Sequence, residues 1–207
     1  MTRKIDHILR LLEDEFVKLH HVICSDLNIP TLSRNNIRFL KFIDTVRLYR
    51  EILSLGGEEW DLDDLIAYLL ELNGFYSEET KMICLVLRYD HSIRDYVYTF
   101  VHETYHYYQD YIGKMDEYRS YGSPAMIEEL EEEAYDFSDK YTDQYYSIFL
   151  DILKRSGKIN LFSEINKMME DIVLDLYRGG VTEIDEISLK TGFSPTDVAR
   201  IIEKFRS

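Results

Sequence analysis

Residues 81–111 read KMICLVLRYDHSIRDYVYTFVHETYHYYQDY, and a change of period inside this stretch decides the fold. Met82 to Leu87 is an unbroken apolar run, too short for a typical helix and bounded by turn residues, which is the pattern of a strand buried on both faces. Phe75-Tyr76 and the turn-like Ser77-Glu78-Glu79-Thr80 precede it, so the pair reads as a hairpin. From Ser92 to Tyr111 helical periodicity takes over. A strand therefore feeds directly into a helix.

Helices are expected on both sides of this centre. Ile5, Ile8, Leu12, Phe16, Leu19 and Ile23 recur every three or four residues, which predicts a helix over 5–23 ending before Pro30. A second is predicted from about Asn35 to Leu55, carrying Ile37, Leu40, Ile43, Leu48 and Ile52 and stopped by Gly56-Gly57. A third covers Leu62 to Leu72, with Asp61 as N-cap and Asn73-Gly74 as its end. These three are expected to form one helical layer. On the other side, a long acidic helix is predicted from Ser123-Pro124 to about Ser156, then one from Leu161 to Gly179-Gly180. Two short helices, Glu183 to Lys190 and Pro195 to Arg206, flank Thr191-Gly192-Phe193-Ser194 with helix-turn-helix spacing, Ser194 serving as cap. The expected fold is mainly α with a small β-hairpin or sheet (α+β). It divides into a helical layer over residues 1–73, a core over 74–156 and a tri-helical unit over 160–207.

Composition narrows the function. The 207 residues are 45% hydrophobic, enough for a sizeable core, and carry a formal net charge of -15. That charge would be repelled by a phosphate backbone, which argues against a non-specific nucleic-acid coat. Cys24 and Cys84 lie far apart in apolar stretches, so neither a disulfide nor a paired-cysteine zinc site is expected, and a reducing compartment is the default. The first residues pass straight into charged amphipathic sequence without the apolar stretch of a leader, and Met82 to Leu87 is too short to cross a bilayer. A soluble, cytoplasmic protein with no membrane partner is expected. Thirteen of the 17 tyrosines fall between Tyr89 and Tyr146, as a wet cleft or an irregular core would require.

The chemistry is concentrated in His102-Glu103-Thr104-Tyr105-His106. Histidines at i and i+4 project from one helix face and can converge on one zinc ion, with the Glu between them placed as general base for a water at the open position. Tyr98 and Gln109, one turn to either side, are candidate hydrogen-bond partners for the histidines. Catalytic zinc takes three protein ligands, and Glu128, Glu129, Glu131, Glu132 and Glu133 on the next helix supply candidates for the third. Tyr118, Tyr121, Tyr135 and His91 are candidate oxyanion donors, and the tyrosine excess leaves the choice among them open. His7, His20 and His21 read as exposed helix residues.

At these residues the chain resembles the gluzincin clan of zinc metallopeptidases, in which His-Glu-x-x-His on one helix is completed by a Glu from the next. It is most similar to small single-domain forms and to the ImmA/IrrE-type regulatory peptidases, whose second helix reads Glu-x-x-Ala-x-x-Phe. Glu131, Ala134 and Phe137 meet that register. The resemblance covers roughly residues 74–140 and implies a minimal zincin-like core with His102, His106 and Glu131 as ligands and Glu103 as base; Glu128 and Glu132 are the alternatives to Glu131. The metzincin continuation would need Gly at 109 and His at 112, where this chain has Gln109 and Ile112.

The function this implies is zinc-dependent hydrolysis of a specific intracellular protein or peptide. Residues 116–144 hold 10 acidic and 2 basic residues, a net of -8, and this field should favour substrates with basic segments. The alternative is a DNA-binding or scaffold protein with a structural or vestigial zinc site. Residues 160–207 hold 6 basic and 9 acidic residues, a net of -3, so the tail lacks the basic footprint of a DNA reader and fits a docking or structural unit better.

Overall fold

The computed structural model describes residues 2–56, 61–116 and 124–207. Helix α1 (Thr2–Leu27) buries Ile5, Ile8, Leu12, Phe16, Leu19 and Ile23 along one stripe, as the spacing predicts, and continues four residues past the expected end. Strand β1 (Ile37–Leu40), α2 (Phe42–Gly56), α3 (Leu62–Glu71), β2 (Gly74–Ser77), β3 (Met82–Val86) and α4 (Ile93–Tyr111) follow, then α5 (Pro124–Arg155), α6 (Leu161–Arg178), α7 (Ile184–Thr191) and α8 (Pro195–Arg206). The architecture is mostly helical with a small three-stranded sheet, the class expected from the sequence. Of the described helices, none is long and apolar enough to cross a membrane.

The sheet has the order β1-β3-β2, with β2 antiparallel and β1 parallel to the central strand. Both faces of β3 are covered, which is why its sequence is continuously apolar. Ile83 and Leu85 enter the main core, while Cys84 joins Phe75 and Ile52 of α2 on the other face. Cys24 and Cys84 are both buried, free thiols.

Two expectations are corrected here. The helix predicted from Asn35 begins only at Phe42, and Ile37-Arg38-Phe39-Leu40 is a strand. Burial alternates along it, with Ile37 and Phe39 inward, and Ile37 pairs with Ile83 across 46 residues. The spacing of Ile37, Leu40 and Ile43 also suits a helix, so the long-range partner decides between the two periods. Its exposed edge is closed by α1, since the Phe39 N–H donates to Glu13 Oε1 at 3.0 Å.

The first three helices do not form one layer. The Phe16 ring of α1 lies 4.9 Å from Phe100 of α4 and 4.5 Å from Phe149 of α5, so α1 belongs to the main core. Helices α2 and α3 instead pack on each other around Phe42, Val46, Leu65 and Leu69. The wide stripe of a 26-residue helix needs more cover than two short helices offer.

The tail is fastened to the core at its turn. Thr191, Gly192, Phe193 and Ser194 are all buried. Gly192 caps α7 at φ +79°, where a Cβ would also come within 2.8 Å of Ile43 Cγ2, and its carbonyl accepts the Ile43 N–H at 3.1 Å. Ser194 caps α8, and Asp197 Oδ1 accepts the Tyr89 N–H at 3.0 Å. The polar start of α8 therefore faces the end of β3 rather than solvent.

Candidate metal centre

A capping box starts the site helix. The Ser92 hydroxyl accepts the Asp95 N–H while Asp95 accepts the Ser92 N–H, which sets the phase of everything downstream on α4. In that phase His102, Glu103, His106 and Gln109 are all buried. Helix α4 packs most extensively on α5, and Ala134, fully buried between them, allows the close approach. One turn further on, Phe137 stacks on Tyr105 of α4 at 4.6 Å.

This packing carries Glu131 to the two histidines. Nε2 of His102 and Nε2 of His106 lie 3.0 Å apart, and the Glu131 carboxylate is 3.3 Å from the first and 3.4 Å from the second. The three form a cluster able to hold a metal ion. Glu128, Glu129 and Glu132 are exposed on the same helix.

Distances, protons and an orphaned atom together say how well this trio suits a metal. A tetrahedral ion with bonds of about 2.05 Å has ligand-to-ligand edges of about 3.3 Å, close to the three separations observed. His106 Nδ1 donates to Gln109 Oε1 at 2.9 Å, leaving its Nε2 with a lone pair directed at the cluster. His102 Nδ1 is buried without a hydrogen-bond partner. Two ring nitrogens and a carboxylate converge on one point. Burial alone would lower the affinity of His106 for a proton, but its contacts with Glu131 and Glu103 outweigh burial and raise its pKa to about 9. Hydrogen bonds with His102 and His106 hold the Glu131 carboxyl well below the usual carboxylate range. Such a site favours positive charge, and the residues fit a divalent ion.

Gln109 is fixed in turn. Its amide donates to the Leu130 carbonyl at 2.8 Å and to Glu133 Oε2 at 3.1 Å, and Glu133 also pairs with Lys114. This is the supporting role expected of Gln109. Tyr98 behaves differently: its hydroxyl donates to Asp139 at 3.0 Å rather than to a histidine, because its ring leans toward α5.

Glu103 lies beside the trio. Burial pushes its carboxyl up in pKa, while the charges of His106 and His102 and a backbone hydrogen bond from Tyr76 of β2 pull it down. The trio and Glu103 open onto a cleft of about 450 Å³ walled by α3, β2, α4 and α5. Strand β2 reaches α4 closely because residue 74 is glycine: a Cβ there would meet Thr99 Cγ2 at 2.6 Å and the Cys84 carbonyl at 2.8 Å. Asp110, one turn past His106, ties down the hairpin by accepting from Tyr76 and Lys81 at 2.5 Å each.

Among the oxyanion candidates, Tyr135 lines the cleft with its ring centroid 4.6 Å from that of His102. His91 packs against Tyr96 and does not line the cleft. Tyr118 and Tyr121 lie outside the described residues, as does Ser123. Tyr68 and Glu71 of α3, which sequence reasoning missed, form the far wall. Nothing local marks them, since their place depends on how α3 packs on α2. Of the other histidines, His7 and His21 are exposed as expected, but His20 is fully buried and accepts the Leu32 N–H on Nε2 at 3.0 Å.

No family model, curated protein or solved structure matches the chain. The gluzincin resemblance rests on its motif residues.

Proposed function

We propose that the chain is a zinc-dependent peptidase acting on a specific protein or peptide. The observation that carries this reading is the convergence of His102, His106 and Glu131 in a cleft that also holds the buried carboxyl of Glu103. His102 and His106 through Nε2 and Glu131 through its carboxylate would hold the metal. A zinc ion bound there supplies an acidified water and polarises a scissile carbonyl. Glu103 takes the proton of the attacking water and delivers it to the leaving amine, a task suited to a carboxyl whose proton affinity is raised by burial. Gln109 keeps the His106 ring in the tautomer that presents Nε2. A purely structural site has no need of a buried Glu103 at this place.

The scaffold alternative keeps the same metal residues without hydrolysis. Its DNA-binding form is disfavoured, because Ser194 and Asp197 at the start of α8, where a recognition helix reads bases, are buried against the core.

Two measurements test the proposal. Metal content by mass spectrometry should show about one zinc per chain in the native protein and a large loss in His106→Ala; negligible zinc in both would sink the metal assignment. Glu103→Gln should keep the metal and lose cleavage of a peptide library. If this variant cuts as well as the native protein, Glu103 is not the base.

A further inference from the structure

The cleft extends past the ligand trio to the last turn of α3, and this outer half has a chemistry of its own. Tyr68 and Glu71 of α3 line it together with Tyr98 of α4 and Tyr135 of α5. Tyr68 is 42% exposed and Tyr135 52%, so two large rings stand at the lip where water reaches them. Both line the same cleft. Packing against the His102 ring places Tyr135 on the trio's side of this opening.

The outer half of the cleft carries a carboxylate, and the groups able to hold positive charge lie at the trio, in His102 and His106. Glu71, Glu103 and Glu131 line the cleft, and among the described lining residues there is no lysine or arginine. Arg88, whose charge Glu71 favours, is buried and spends one guanidinium nitrogen on the Leu69 and Leu72 carbonyls. Aromatic faces attract a cation through their quadrupole, a carboxylate attracts it through charge, and a long aliphatic stem packs well on phenol rings.

We propose that the outer half of the cleft is a subsite for a lysine or arginine side chain of the substrate, its cation set between Tyr68 and Tyr135 and paired with Glu71. The inference rests on the peptidase reading, because an extended chain lying along β2 across the trio is what brings such a side chain there. It sharpens the preference for basic segments from a general field into a contact with named residues. Rings at the lip suit Lys and Arg alike, so the subsite selects charge and length rather than one of the two.

Binding tests this without turnover. Zinc-loaded full-length Glu103→Gln would be titrated, by calorimetry, with three capped pentapeptides of alanine carrying lysine, norleucine or phenylalanine at the centre. Lysine should bind about 10-fold more tightly than norleucine at low salt, with the gap narrowing as salt screens the pair. Adding Glu71→Gln, or Tyr135→Leu, should shrink the gap to about 3-fold or less. Norleucine or phenylalanine binding as tightly as lysine, a gap indifferent to both added substitutions, or no binding of any of the three would overturn the subsite. Cleavage of the same peptides by the native zinc-loaded chain separates the two claims. Cutting without preference for a basic residue removes the subsite and leaves the peptidase; selective lysine binding with no cutting of any peptide does the reverse.

Discussion

Gln109 and His20 show how far a single polar side chain can be read before its neighbours are known. The position of Gln109 one turn past His106 suggested a hydrogen bond, and its Oε1 does accept the His106 Nδ1–H. Partners of this kind are worth about 10–100-fold in metal affinity. Gln109→Leu should weaken zinc binding by that factor, measured by competition with a chelating dye, and an unchanged affinity would mean the ring is oriented by packing alone. His20 stands next to His21 on an amphipathic helix and reads as exposed like it, and only the packing of α1 distinguishes the two. Burial lowers its pKa from 6.5 to about 4, and its Nε2 already accepts the Leu32 N–H. Between those two values the unfolded chain binds a proton that the folded chain refuses. Stability therefore rises with pH through this window and is lost as pH falls from about 6.5 towards 4. The loss should be about 2 kcal/mol at pH 5 relative to pH 7.5. His20→Gln keeps an acceptor for Leu32 and removes the titration, so urea unfolding at the two pH values should show that much less change in the variant. Equal changes in both proteins would mean His20 is not a buried neutral group.

At the scale of elements, what was legible is what local pattern determines. The α1 stripe, the β2–β3 hairpin and the Asp61 and Ser194 caps can each be read from neighbouring residues, and each is found in place. What was not legible depends on a partner distant in the chain. Strand β1 is four residues long and acquires its identity from β3. Tyr68 and Glu71 become part of the cleft only because α3 packs on α2 around Phe42, Val46, Leu65 and Leu69. Gly74 sets the approach of β2 to α4, as no side chain fits between β2 and the Thr99 methyl. Gly74→Ala should cost about 1–3 kcal/mol through overpacking. Because β2 is displaced while α4 and α5 are not, zinc binding should survive as peptide cleavage falls. A variant that keeps native thermal stability and full activity would show that β2 yields easily and does not set the cleft.

For the whole molecule the question is whether the tail is an appendage. By sequence it reads as a tri-helical unit with helix-turn-helix spacing, capped at Ser194. Yet Ile187, Phe193, Val198, Ile201 and Ile202 belong to the same buried cluster as Phe16, Phe39 and Phe100. Burying five such side chains contributes on the order of 10 kcal/mol, as much as the net stability of a whole domain. The polar contacts point the same way. Asp197 holds the Tyr89 N–H, Gly192 holds the Ile43 N–H, and Lys204 bridges the Tyr89 hydroxyl and Glu170 at 2.7 Å each. Tyr89 follows β3 and precedes the cap of α4, so the tail bears on the segment that starts the site helix. The full chain should accordingly unfold in urea as one unit, with far-ultraviolet and near-ultraviolet circular dichroism giving coincident transitions. A chain ending at Gly179 should lose that cooperative transition, and zinc affinity with it. Two separated transitions in the full chain, or a truncated chain that still unfolds sharply and binds zinc as before, would make the tail an independent module free to serve a partner of its own.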